Sequence, residues 1–160
     1  MAWSATTTFT TGQVVTAAQM NVISGDLDAL NTRPNNSSSV ATSETRANAA
    51  YGDLATSGPA VTVTTGTFAI VFLAAKVSNN TNAGDSRMSV AVSGATTTAA
   101  ADSNSLELNP ATAASNSAKF GIMVPLTLTA GSNTFTAKYR SGGADTATFA
   151  DRTLIVLPQF

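Results

Sequence analysis

The sequence contains no cysteine and no histidine. The first absence excludes a disulfide framework, a zinc–thiolate site and a thiol nucleophile. The second removes the commonest general base, the commonest metal ligand and the usual partner of a catalytic serine. Charge is scarce as well. Only 11% of the residues are Asp, Glu, Lys or Arg, against about 25% in an ordinary globular protein. Eight basic and nine acidic side chains leave a net charge of -1. Such a balance supplies no basic surface for nucleic acid or for an anionic membrane, so neither partner is expected.

Long hydrophobic runs are missing too. The longest, FAIVFLAA at 68–75, falls far short of the roughly 20 residues that a transmembrane helix needs. The opening MAWSATTTF has no basic residue and no continuous apolar run, so no signal peptide is expected and synthesis in a cytoplasm is. What the chain does have is 43% hydrophobic residues in a length of 160, enough for one core plus an appendage. Ser and Thr fill roughly a quarter of the positions, and Thr favours strands.

The segment VVTAAQMNVISGDLDAL, 14–30, reads as a helix. Thr16-Ala17-Ala18-Gln19 matches a capping box, with Val15 and Met20 at the positions of a hydrophobic staple. Met20, Ile23, Leu27 and Leu30 follow at spacings of three, four and three, the beginning of a heptad seam. Asn31 and Pro34 supply the stop. Gly25 costs such a helix about 1 kcal/mol against Ala. A helix this short is marginal alone, so the seam calls for a partner. Asp26 and Asp28 with Asn31 lack the glycine and closing glutamate of a calcium loop and read as a solvated helix face. Trp3, the only tryptophan, either folds back on its own domain or anchors a partner.

Residues 31–48, NTRPNNSSSVATSETRAN, read as a polar linker. The Asn-X-Ser/Thr patterns at Asn35, Asn36 and Asn79 are attributed to chance in so Asn- and Ser-rich a chain. From 49 onward the period changes to two. Strands are expected at 60–65, 67–78, 86–94, 105–108, 119–129 and 134–140, with a final strand or pair at 146–160. The second has apolar residues on both faces and is placed centrally, and Pro125 marks an edge or a bulge. About eight strands with regular turns predict an antiparallel β-sandwich, jelly-roll-like, over 49–160. The domain plan is an arm and helix at 1–30, the linker, and the sandwich.

Chemistry is hard to place on this chain. Asp85, Asp102 and Glu107 stand near strand ends, and with Asp145 and Asp151 they are the available carboxylates for a glycosidase-like pair. Nothing in the sequence brings them together. No G-x-S-x-G elbow and no phosphate-binding loop is present. Tyr51 and Tyr139 are candidates for a sugar-binding platform, with core packing the default for the aromatics. No catalytic residue, cofactor or metal is assigned.

The stretch TFTTGQVVTAAQMN, 8–21, resembles the opening of many small structural proteins of tailed phages: minor tail proteins, fibres and virion surface proteins. The matching positions are Gly12, Val14, Val15, Thr16, Ala17, Ala18, Met20 and Asn21. The resemblance implies a non-enzymatic protein that attaches to the virion surface through its N-terminus and displays a β head, usually as a homotrimer. Its partner would be the major capsid protein or a tail protein. On that reading Trp3, Phe9, Val14 and Val15 dock on the particle, and Met20, Ile23, Leu27 and Leu30 line the oligomer axis. Capsid decoration or head fibre is weighed slightly above small tail fibre. The alternative is a carbohydrate-binding module or adhesin for host-surface glycans, and weak glycan binding is compatible with both.

Overall fold

A computed structural model describes residues 10–31, 36–109 and 116–159, the side chains of 26–31 excepted. It divides into two units, an N-terminal one and a β unit spanning 36–159.

The N-terminal unit begins with a turn in which the Gln13 N–H donates to Thr10 O at 3.0 Å. Gly12, at φ +86°, occupies the left-handed position that favours glycine. Helix α1 then runs Ala17–Asn31. Its start follows the capping box: the Gln19 N–H donates to Thr16 Oγ1 at 3.3 Å, and the Thr16 N–H donates to Gln19 Oε1 at 2.9 Å. Each group satisfies a donor that the first turn of a helix leaves open. The cap sets the first helical residue at Ala17, so Val14 and Val15 precede the helix rather than belonging to it.

The β unit contains nine strands among the described residues: β1 (Ser37–Val40), β2 (Glu44–Arg46), β3 (Ala60–Thr65), β4 (Phe68–Asn79), β5 (Ser86–Gly94), β6 (Ser105–Leu108), β7 (Ser117–Thr127), β8 (Gly131–Ser141) and β9 (Ala147–Gln159). They make two antiparallel sheets. The first has the order β1-β9-β4-β7, with β2 also on β9, and the second has the order β3-β8-β5-β6. The fold is mainly β, an antiparallel sandwich. Ladders join β1 to β9, β3 to β8, β4 to β7 and β5 to β6. The chain is therefore laid out like one long hairpin whose tip is β5–β6.

Two strands lie where a linker was expected. β1 and β2 both pair with β9. The sequence SSSV gives no apolar alternation, because these strands are stabilised through polar contacts. Ser39 and Thr153 hydroxyls meet at 3.2 Å across the ladder, and Glu44 of β2 reaches a buried arginine of β9. Pro125 lies on β7, an edge strand of the first sheet, where its missing N–H costs no ladder bond.

The core is built from alternate residues of both sheets. Val71, Leu73 and Val77 of β4 and Leu154 and Val156 of β9 face Met88, Leu106, Phe135 and Tyr139 from the opposite sheet, all buried. The rings of Tyr139 and Phe149 pack at 4.9 Å, tilted by 54°. A bulge in β9 lets this packing continue. Ala74 pairs with Thr153 but Lys76 with Ala150, so an extra residue is accommodated, with Asp151 at φ 49°. The inward side changes from odd to even positions there. Phe149 and Arg152 consequently both point inward.

Candidate functional site

The two outer faces of the sandwich differ in chemistry. The outer face of the β3-β8-β5-β6 sheet is polar. Thr62 and Thr134 hydroxyls meet at 2.8 Å, and Lys138 holds Asp53 at 2.9 Å. At the other end of this face lies a charged cluster. Arg87 Nε is 2.9 Å from Asp85 and its Nη2 2.8 Å from Glu107. Arg140 Nη2 is 2.7 Å from Asp85 and 2.8 Å from Asp102. The Tyr51 hydroxyl donates to Asp102 at 2.8 Å, and the Arg140 guanidinium lies 5.7 Å from the centre of its ring.

Three of the five carboxylates considered for catalysis are thus gathered, which the sequence did not foresee. The setting of Asp102 does not suit acid–base work. The Arg140 guanidinium, followed by the Tyr51 hydroxyl and the charge of Arg87, holds the Asp102 carboxyl at about 2 against burial. A general acid at neutral pH needs the opposite shift. Asp151 pairs with Lys119 at 3.4 Å. Asp145 is buried, with one oxygen accepting from the Asn79 amide at 2.7 Å and the other without a partner. Among the described residues no group of three His, Cys, Asp or Glu could hold a metal ion, and no helix is long and apolar enough to cross a membrane.

Tyr139 does not belong to a sugar platform. It is fully buried, its hydroxyl donating to Gly58 O at 2.8 Å. Burial pushes its pKa far above the usual tyrosine value. Beside it lies Arg152, also without solvent exposure. The guanidinium sits 5.4 Å from the centre of the Tyr139 ring and 3.1 Å from Glu44. It also donates to the carbonyls of Thr42 and Thr56 at 3.3 and 3.4 Å. The Thr56 hydroxyl and N–H grip the Glu44 carboxylate at 2.6 and 2.9 Å. The Thr56 hydroxyl is the main cause that lowers the pKa of Glu44, with Arg152 adding to it. An arginine on a strand reads from the sequence as a surface residue. Only the bulge places it inside.

The outer face of the β1-β9-β4-β7 sheet carries a different surface. Phe68 and Phe72 of β4, Met123 of β7, and Ile155 and Leu157 of β9 are all exposed, Met123 by 60%. The register makes them neighbours. Phe72 lies opposite Met123 on one side and Ile155 on the other, and Ile70 opposite Pro125 and Leu157. The expectation that β4 is central and apolar on both faces holds, yet within the described chain only its inner face is covered.

The expected attachment residues are partly visible. Trp3 and Phe9 lie outside the described residues. Val14 and Val15 are exposed, as are Met20 and Ile23 of the seam. The side chains of Leu27 and Leu30, and of Asp26 and Asp28, lie outside the described residues. No protein-family model matches the chain, and no curated protein matches it.

Proposed function

We propose that this chain is a non-enzymatic structural protein of a tailed-phage virion, attached through its N-terminal segment and displaying the β-sandwich at the virion surface. The observation that carries the proposal is the contrast between the two outer faces. A free-standing antiparallel sandwich solvates both outer faces. Here one is polar and internally neutralised, and the other presents large apolar side chains on three adjacent strands. That suits a component of an assembly. The exposed Val14, Val15, Met20 and Ile23 beside a formed capping box suit the attachment and oligomerisation roles that the resemblance implies. The hairpin-like pairing of β1 with β9, β3 with β8, β4 with β7 and β5 with β6 supports a jelly-roll reading of the sandwich.

On this reading the protein is a homo-oligomer, a trimer by the resemblance, seated on the major capsid protein or a tail protein. It is made in the bacterial host cytoplasm. Capsid decoration or head fibre is weighed slightly above a small tail fibre, the described residues making one β unit and no long shaft among them. A glycan-binding module is the weaker reading, since of its two proposed tyrosines Tyr139 is buried and Tyr51 is tied to Asp102. Mass spectrometry of gradient-purified particles, followed by separated heads and tails, tests the proposal. The chain is expected in the particle and in the head fraction. Absence from intact particles removes the proposal, and recovery with tails moves the attachment site.

A further inference from the structure

We infer that the outer face of the β1-β9-β4-β7 sheet is closed by the same face of a second copy of this chain. The inference rests on the self-assembly part of the proposed function and takes the copies in pairs, a contact additional to the three-fold helix seam that the resemblance implies. It assigns a contact that neither the sequence motif nor the helix seam anticipates.

The size of the face fits. Phe68, Phe72, Met123, Ile155 and Leu157 are each exposed by 37% to 60%. With about 200 Å² for a large side chain, they expose roughly 400 Å² of apolar surface. That is within the range of a monomer's largest patch, which is often functional. The sheet around them is larger. β4, β7 and β9 are 12, 11 and 13 residues long. With β1 they form four strands. At ~3.3 Å per residue and ~4.8 Å between strands, these three strands and the four residues of β1 measure roughly 630 Å². Two such faces would bury roughly 1,260 Å² together, at the lower end of the ~1,200–2,000 Å² of a specific, stable protein–protein contact.

The layout of the face fits as well. Its apolar centre is bordered by polar residues: Lys76, Lys119 and Asp151 at one end, Ser39 and Thr153 along the β1 side, Thr127 and Gln159 at the other end. An apolar core with a polar rim is the anatomy of a protein contact. The surface is a sheet face with side chains alternating in and out, and what packs on such a face at about 10 Å is another sheet face. A second copy presents one of matching width, length and chemistry. The charges set its direction. If the copies lie with β4 antiparallel across a two-fold axis, the Lys76 and Lys119 end of each covers the uncharged Thr127 and Gln159 end of the other. Like charges stay apart, and the contact is self-complementary, as a two-fold interface requires.

Two measurements on the full chain test this. Sedimentation equilibrium is expected to give the wild type a mass above the 16.1 kDa monomer, and Phe72→Asp with Ile155→Asp to lower it by separating the paired copies. Both positions are exposed, and a retained far-UV strand spectrum checks that the variant folds. Peroxide footprinting then reads the interface without any substitution. Met123 and Met20 are both exposed within one chain and Met88 is buried. Met123 is expected to oxidise as slowly as Met88, and to become fast in the Phe72→Asp, Ile155→Asp variant. A fast Met123 in a wild type that still sediments as an oligomer overturns the inference. If Met20 alone is then protected, self-assembly through the helix stands without it. A wild type of 16.1 kDa at high concentration overturns the inference and the self-assembly reading together.

Discussion

Arg152 illustrates how much one residue can hide from its sequence. It has no solvent exposure, it stacks on Tyr139, and its charge is matched by Glu44. Removing Glu44 leaves the guanidinium buried and uncompensated, which is strongly destabilising, and removing Arg152 takes away a buried cation that also holds the Thr42 and Thr56 carbonyls. Arg152→Ala is therefore expected to move the urea midpoint far down, and Glu44→Ala to do nearly the same. Changing both together should cost less than the sum of the two. Strict additivity in that cycle would show that the two side chains are not coupled. Asp102 offers a pH test. Its carboxyl is held at about 2 instead of the ordinary 3.8, chiefly by Arg140. A lowered folded-state value gives stability that is present above the unfolded value and is lost as pH falls through the folded one. The loss belongs between pH of about 4 and 2. Half of the Asp102 side chain is exposed, so screening by water makes the effect modest. Asp102→Asn is expected to be less stable than wild type at neutral pH and to show a flatter acid limb in that window, followed by denaturant titration at each pH. With no histidine in the chain, side-chain titration leaves stability nearly level between pH 5 and 8.

At the scale of elements, the signals that could be read were those with a local cause. The Thr16 and Gln19 box appears as two reciprocal hydrogen bonds. The long strands β4, β5, β7 and β8 fall within a few residues of their alternating patterns, and Pro125 lies on an edge. β1 and β2 were illegible because Ser and Thr carry no apolar period. What fixes them is the free edge of β9, a partner more than a hundred residues away. The bulge near Asp151 was hidden for the same reason: TATFADRTLIVL alternates on either side of a step that only the β4 ladder reveals. Gly25 makes the helix testable. A Cβ there would meet nothing within 4 Å in the described chain, so Gly25→Ala is expected to stabilise α1 by about 1 kcal/mol, and Thr16→Ala to weaken it by a similar amount. Far-UV circular dichroism at 222 nm of the two variants should change in opposite directions. A Gly25→Ala variant with less helix, or with lower mass in the ultracentrifuge, would mean that a close neighbour in the assembly needs the glycine.

For the whole molecule, the fold class was legible and the surface that matters was not. Alternation placed β4 in the middle of a sheet and gave it two apolar faces. It could not tell which face meets the opposite sheet and which stays exposed, because both are written with the same residues. Phe72 and Leu73 look equivalent in the sequence. One is exposed and the other has no exposure at all. The charged cluster was illegible in the same way, since Asp85, Asp102, Glu107 and Arg140 come from four segments and meet only when β5, β6 and β8 are aligned. The β unit has a neutralised polar face and an apolar one, and in the N-terminal unit Val14, Val15, Met20 and Ile23 are exposed. On the proposed function these are the properties of one part of an assembly. Cryo-electron microscopy of the intact phage particle tests that account most directly. The account gives β-sandwich density at symmetry-related surface sites, with the N-terminal segment against the shell or tail and Phe72, Met123 and Ile155 covered by a sister copy. Particles whose surface density contains no such sandwich, made by a phage that expresses this chain, would contradict it.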